Sequence, residues 1–343
     1  MIYIKMTELK VNLGENSYPI IIGKNLLSDA DKYLGLDRNV FIVTDDGVPN
    51  KYSKTIEDLC KRATVYTIKA GERSKCFGEL ERMLTAMSRF GLERGDCVVA
   101  VGGGVVGDLT GLAAALYMRG VDFYNVPTTL LSQVDSSIGG KTAVDLCGVK
   151  NLIGAFKHPK AVIVDTDTLT TLPERHFRNG LCEAIKMAAT LDGGLFGLFE
   201  ELNTEQMRSR IEEIVVAALK IKKAVVEEDV NEGGKRRVLN FGHTLGHAIE
   251  ASEGLGGLLH GECVALGMLP VSCGEARKRI EAVLKKLNLQ TEYDGNKEEA
   301  LAFIEHDKKA SRGGIHVVFC DKIGAYTIKH ISFDEFRNIV INH

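Results

Sequence analysis

The eight cysteines of this 343-residue chain (60, 76, 97, 147, 182, 263, 273 and 320) include no C-x-x-C pair. That absence excludes the paired-thiol zinc and redox motifs, and the scatter reads as reduced, mostly buried thiols of a cytoplasmic protein. Positive charge is not in excess either. A formal net charge of −3 leaves no surplus of Lys and Arg to neutralise a nucleic-acid backbone, so no nucleic-acid partner is expected. Uninterrupted apolar runs are missing as well. The longest apolar region, 98–118, is broken by glycines and by Asp108, which makes it a buried strand, turn and helix and not a membrane span. The opening Met-Ile-Tyr-Ile-Lys-Met-Thr-Glu lacks the charged-then-apolar pattern of a signal peptide, and no low-complexity tract or internal repeat is present.

What remains is ordinary soluble composition, 45% hydrophobic and 26% charged, at a length that suggests two domains. The first half alternates β-rich runs (18–23, 39–45, 63–70, 97–102, 121–127, 161–165) with amphipathic stretches such as 54–62 and 77–90. Alternation of this kind predicts an α/β domain with a mostly parallel sheet. Helical periodicity dominates later, over 180–190, 205–228, 240–252 and 262–287, and only 316–320 and 325–329 look extended. The second domain is therefore expected to be mainly α-helical. The change falls between 151 and 172, near Lys157-His-Pro-Lys160, and is placed at 160/161: an α/β domain over 1–160 and a helical one over 161–343.

Three stretches carry chemistry. The first is Val98-Val-Ala-Val-Gly-Gly-Gly-Val-Val-Gly-Asp108, a strand running into Gly102-x-Gly104-x-x-Gly107 and then a helix. Free N–H groups at a helix start attract phosphate oxygens, and glycines allow close backbone approach. A tight strand–helix junction without a ligand explains the same glycines. The usual dinucleotide fingerprint also sits on the first strand, whereas three or four candidate strands precede this one. In the second stretch, 127–151, hydroxyls, Asp135, paired glycines, Lys141, Lys150 and Asn151 gather where a strand gives way to loops. With Arg119, these read as anion ligands at strand ends, although any one lysine alone is better explained as solvated.

The third stretch is Arg236-Arg-Val-Leu-Asn-Phe-Gly-His-Thr-Leu-Gly-His-Ala-Ile-Glu250 with His260-Gly-Glu262. His243, His247 and Glu250 stand at i, i+4 and i+7, one face of a helix. Three of the nine histidines of the chain lie in this stretch with two carboxylates, a donor set suited to a divalent metal. Glu183, amid small and apolar residues, is a candidate ligand from elsewhere; a first-turn helix carboxylate is the alternative. Lys186, Lys222, Lys223, Arg236, Arg237, Lys308 and Lys309 add positive charge. The pieces suggest a cleft with a dinucleotide on the α/β side, a metal on the helical side and a polyanionic small molecule between them.

These motifs, with Pro127-Thr-Thr, Asp135-Ser-Ser-Ile-Gly-Gly-Lys141, Lys150-Asn, Glu183-x-x-Lys186 and Asp307-Lys-Lys309, closely resemble the 3-dehydroquinate synthase family of sugar phosphate cyclases, in order over nearly the whole chain. The resemblance implies an enzyme of the shikimate pathway, usually a homodimer, that converts the seven-carbon sugar acid phosphate DAHP to 3-dehydroquinate and phosphate. The implied cofactors are NAD and one divalent metal, zinc or cobalt. Glu183, His243 and His260 match the family's metal ligands. Lys141, Lys186, Arg236, Asn240, His247 and Lys309 match catalytic positions, and Arg119, Asp135, Lys150, Asn151 and Lys222 match substrate contacts. Asp45, Glu72, Lys75, Gly103, Gly104, Val105, Gly107, Asp108, Thr128, Thr129, Asp135, Lys141 and Lys150 match cofactor contacts. Glu250 falls to a supporting role. Two departures stand out: Gly47, where relatives often carry Asn, and Val230, where many carry Glu. The competing readings are a sister cyclase acting on a substrate without a carboxylate, such as sedoheptulose 7-phosphate, a metal-dependent dehydrogenase of the glycerol type, and an inactive NAD- or metal-binding protein.

Overall fold

The computed structural model describes residues 6–254, 256–309 and 314–343, the side chains of 306–309 aside. The chain forms two compact units that divide between Pro173 and Glu174.

The first unit contains strands β1 (Thr7–Val11), β2 (Tyr18–Gly23), β3 (Asn39–Asp45), β4 (Arg62–Ile68), β5 (Cys97–Gly102), β6 (Asp122–Pro127), β7 (Lys141–Leu146), β8 (Val149–Phe156) and β9 (Ala161–Asp165). Its helices are α1 (Asn50–Asp58), α2 (Phe77–Phe90) and α3 (Gly104–Leu116). Seven strands form one sheet in the order β1-β2-β9-β6-β5-β3-β4, parallel except for β1 on β2. Every residue of β5 (Cys-Val-Val-Ala-Val-Gly) and β9 (Ala-Val-Ile-Val-Asp) is buried, as strands covered on both faces require. On one face Ile42, Val99 and Ile163 pack with Tyr52 and Ile56 of α1. On the other, Phe41, Val98 and Ala100 pack with Met83 of α2 and Leu109 and Leu112 of α3. Each large apolar side chain buried this way contributes about 1.5–3 kcal/mol.

The helix after β3 and the helix after β5 therefore lie on opposite faces of neighbouring strands. That is the switch point of a doubly wound sheet, where the crevice at the strand ends receives ligands. It resolves the misplaced glycine fingerprint, because the loop stands on the strand that flanks the crevice and not on the first in sequence.

The division expected at 160/161 is corrected. It would detach β9, which instead pairs with β2 and β6 inside the sheet. Two elements were not anticipated. β1 is an edge strand whose Thr-Glu-Leu-Lys-Val buries only Val11. The β7–β8 pair is an antiparallel hairpin turning at Cys147 and Gly148, both with positive φ, as a two-residue hairpin turn demands.

The second unit is mainly helical: α4 (Glu174–Leu191), α5 (Gly193–Glu201), α6 (Thr204–Ser209), α7 (Ile211–Glu228), α8 (His243–Glu253), α9 (His260–Met268), α10 (Gly274–Lys286), α11 (Lys297–Lys309) and α12 (Phe333–Ile341), with a hairpin of β10 (Ile315–Lys322) and β11 (Ala325–Ile331). The periodic stretch 262–287 is two helices, because Pro270 offers no N–H and cannot continue α9. The stretch 205–228 is likewise interrupted at Arg210, after a short helix that Asn203 and Gln206 cap reciprocally.

Candidate active site

In the second unit, glycines decide how closely the ligand-bearing helices approach. A Cβ on Gly246 of α8 would lie 3.1 Å from the Cys263 carbonyl of α9, and one on Gly267 would lie 2.0 Å from the Gly242 carbonyl. Gly261 packs α9 onto α4: its added Cβ would meet the Asn179 carbonyl at 2.1 Å, and its N–H donates to Asn179 Oδ1 at 2.6 Å. This contact holds His260 beside Glu183, which α4 carries.

The imidazoles of His243, His247 and His260 have ring centroids 5.0–5.6 Å apart, and one nitrogen of each lies within 4.8 Å of the others. His243 Nδ1–H donates to the Phe241 carbonyl at 3.2 Å, and His260 Nδ1–H donates to Glu250 Oε2 at 3.2 Å. In the neutral imidazoles both contacts fix the tautomer and leave Nε2 as the free lone pair. Those two Nε2 atoms lie 3.8 and 3.5 Å from Glu183 Oε1. Glu183 is 1% exposed; its Oε2 accepts from Lys186 Nζ at 2.5 Å, while Oε1 is buried without a hydrogen-bond donor. A buried carboxylate oxygen facing two imidazole lone pairs needs a cation among them. The donor set, two nitrogens and an oxygen, fits a divalent metal such as zinc, with a position open to substrate. A three-histidine set shares His243 and His260 but takes in the more exposed His247.

The electrostatics follow. Burial would raise the Glu183 carboxyl, but Lys186, His243 and His260 outweigh it and hold it well below the usual carboxylate range. Burial, reinforced by Lys186, keeps His243 well below the ordinary imidazole value against the pull of Glu183. Burial also disfavours the charged form of His260, yet Glu183 and Glu250 raise it to about 9. A proton on His260 is the positive charge that a metal would replace.

The other residues singled out in this unit fall into two groups. Arg236 and Asn240 lie on one 3₁₀ segment, Lys235–Asn240. Buried Arg236 donates from Nη1 to the Val230 carbonyl at 2.7 Å, and Asn240 Nδ2 donates to Glu232 Oε1 at 2.9 Å. Position 230 serves Arg236 through its carbonyl, so a valine there costs this contact nothing. Lys186 and Lys222 are buried. The side chain of Lys309 lies outside the described residues. Glu262 is structural: it pairs with Arg175 at 2.7 Å and accepts the Leu259 N–H at 2.7 Å.

In the first unit the glycine loop closes β5 onto α3. A Cβ on Gly102 would collide with Val106 at 2.6 Å. Gly103 precedes α3 without any side-chain cap, so the first N–H groups of the helix, at Gly104, Val105 and Val106, are left open at its start. Thr128 ties the next strand end to the loop through its N–H to the Gly102 carbonyl, 2.9 Å. Thr129 Oγ1 accepts the Ser132 N–H of the π-helical turn that carries Asp135. Lys75, 6% exposed, bonds Asp108 Oδ2 at 2.6 Å and Asn151 Oδ1, with Glu72 Oε1 3.8 Å away. Three residues expected at the site thus meet on the Lys75 ammonium. Lys141 opens β7 and Lys150 lies exposed on β8. Asp45 Oδ1 accepts the Gly47 N–H at 2.8 Å and the Val48 N–H at 3.1 Å, and a Cβ on residue 47 would lie 3.1 Å from that carboxylate.

Arg119 is the exception. It was grouped with residues that follow strand ends, but it precedes β6, and the thirteen residues of α3 carry the chain about 20 Å from the loop before it is reached. Sequence reasoning missed Asp145, which accepts the Asn151 N–H at 2.8 Å, and Asn179, which seats Gly261. Asp145 lies on the unrecognised hairpin, and Asn179 acts through packing that no spacing displays.

A family model described as 3-dehydroquinate synthase N-terminal matches residues 65–179, and one described as 3-dehydroquinate synthase C-terminal matches residues 180–310. The 3-dehydroquinate synthase of Clostridium beijerinckii is 39% identical over 350 residues, covering 96% of this chain and 100% of that protein. Among solved structures, 2-epi-5-epi-valiolone synthase from Streptomyces hygroscopicus subsp. jinggangensis, with NAD+ and Zn2+ bound, is 27% identical with a TM-score of 0.87 over 96% of this chain and 98% of its own. A 2-deoxy-scyllo-inosose synthase complexed with carbaglucose-6-phosphate, NAD+ and Co2+ shares the fold, with a TM-score of 0.88 at 24% identity over 97% and 99% of the two chains. Both halves are matched by the models of one family and the likeness runs from end to end: the chain belongs to the 3-dehydroquinate synthase family.

Proposed function

We propose that this chain converts DAHP to 3-dehydroquinate and inorganic phosphate, as its family does, with NAD and one divalent metal. The observation that carries the reading is Glu183 Oε1, buried without a donor and facing the Nε2 atoms of His243 and His260. Bound groups would supply Lewis-acid activation of a substrate hydroxyl and reversible hydride acceptance.

The residues of the chain supply the rest. Glu183, His243 and His260 hold the metal, and Glu250 and the Phe241 carbonyl hold the imidazoles. Lys186 keeps Glu183 ionised. His247, the exposed imidazole of the cluster, exchanges a proton with substrate while phosphate departs. Arg236, Asn240, Lys222 and Lys309 bind carboxylate, phosphate and hydroxyl groups. The N–H groups that open α3 bind the dinucleotide pyrophosphate, and Asp45, Glu72, Lys75, Asp108, Thr128 and Thr129 hold the remainder of the cofactor. Asp135, Lys141, Lys150 and Asn151 complete the contacts on the nicotinamide side, and Arg119 is a further substrate ligand. The active protein is a homodimer working in the cytoplasm; no helix among the described residues is long and apolar enough to cross a membrane.

The test is an assay of purified protein with NAD and zinc or cobalt: phosphate is released from DAHP and no NADH accumulates. Absence of phosphate release with both cofactors confirmed bound sinks the reading, and net NADH formation transfers the chain to the dehydrogenases.

A further inference from the structure

Helix α4 grips the start of α9 with three residues at four-residue spacing. Arg175, Asn179 and Glu183 stand at i, i+4 and i+8, one face of α4 over about 12 Å. They meet three consecutive residues of α9 in reverse order. Arg175 Nε and Nη2 donate to Glu262 Oε1 and Oε2 at 2.8 and 2.7 Å. Asn179 Oδ1 accepts the Gly261 N–H at 2.6 Å, and Glu183 Oε1 faces His260 Nε2 at 3.5 Å.

The backbone on both sides of His260 is tied to α4 by these contacts. Before it, Arg175 Nη2 donates to the Gly257 carbonyl at 3.0 Å, and Glu262 Oε2, already held by Arg175, accepts the Leu259 N–H at 2.7 Å. After it, Asn179 holds Gly261. The His260 ring has its own fixed neighbours, Glu250 at Nδ1 and Glu183 at Nε2. Folding stability does not explain the Arg175 pair. Its side chain is 54% exposed, and an exposed ion pair of that kind contributes little. A two-point pair nevertheless fixes direction as well as distance, and a ligand must stay within about 0.5 Å of its productive place.

We infer that Arg175 and Asn179 are positioning residues that set the affinity and geometry of the metal site through the backbone of His260. The inference rests on the metal reading above and adds to it two residues outside the ligand set. One face of α4 then does two things: it supplies the ligand Glu183 and it seats the helix that supplies His260. Loosening either grip lets α9 shift against α4, and the distance between those two ligands is what changes.

The experiment titrates Co2+ into the full chain after chelation and follows its visible absorption, for the wild type, Arg175→Ala, Asn179→Leu and Arg279→Ala. The last is the control, because Arg279 of α10 makes the same two-point pair with Glu200 of α5, at 2.7 and 2.6 Å. Co2+ binding about 10–100-fold weaker, with altered absorption bands, is expected in the first two variants, and wild-type behaviour in the control. Wild-type affinity and bands in Arg175→Ala, with circular dichroism unchanged, overturn the inference. Equal weakening in the control overturns it too, in favour of general destabilisation. Buried Asn179 is the variant most exposed to misfolding, so a cycle of Arg175→Ala with Glu262→Gln decides independently. The double variant should bind no more weakly than the weaker single one, whereas additive losses refute the pair as the route. A wild type that takes up no Co2+ overturns the metal reading itself, a result separate from all of these.

Discussion

The histidine cluster of the second unit and the lysine cluster of the first unit both bury charge, but they balance it differently. Lys75 is answered from within, by Asp108, Glu72 and Asn151. Glu183 is answered only in part: Lys186 satisfies Oε2, while Oε1 faces the imidazoles of His243 and His260. A self-balanced cluster shapes a backbone and can receive a ligand that brings no net charge of the missing sign. An unbalanced one requires a cation. The contrast tells which half of the protein is complete as a polypeptide.

Removing the unbalanced charge should have the largest effect. Glu183→Gln and His260→Ala are expected to lose bound metal and to lower turnover by about 10³-fold, equivalent to about 4 kcal/mol of barrier. Metal analysis together with initial rates checks both, and full metal content in either variant would show that the ligand set is wrong. Lys75→Met breaks the balanced cluster instead. It strands Asp108 and Glu72, so a loss of about 3–5 kcal/mol in denaturant unfolding is expected, with metal content unchanged. Were metal to fall as well, the two clusters would not be separable. Glu250→Gln weakens a contact behind His260, and the expected result is a 10–100-fold drop in metal affinity while activity survives at saturating metal.

The smallest effect is one of pH. His260 is raised to about 9 in the metal-free protein. A raised imidazole stabilises the folded state fully below its unfolded value near 6.5, and that contribution is lost as pH rises through about 9. Metal must displace the same proton, so its affinity should climb between about pH 6.5 and 9 and level off above, with close to one proton released per metal at neutral pH. Calorimetry in buffers of different ionisation enthalpy measures that release. A flat affinity across the window would mean that His260 is neutral before metal arrives.

Much of this was legible in the sequence, and the residues explain why. β5 and β9 announced themselves because strands buried on both faces are unbroken apolar runs. His243 and His247 were legible because helical spacing places them together, and Glu250 because it continues the same face. The β7–β8 hairpin was not, since its outer strand turns apolar residues outward and matches no half-buried alternation. Glu183 was separated from its histidines in sequence and entered through the company of apolar neighbours and through the family likeness.

The packing of α8 on α9 through Gly246 and Gly267 has a kinetic side. Helices held backbone to backbone cannot be prised apart cheaply, so an ion does not enter by parting them. Burial deepens from exposed His247 through His260 and His243 to Glu183, with the anion deepest. An incoming cation meets His247 first and gives up its waters one ligand at a time. The histidine that turnover can best spare as a ligand is the one that should govern how quickly metal is gained and lost.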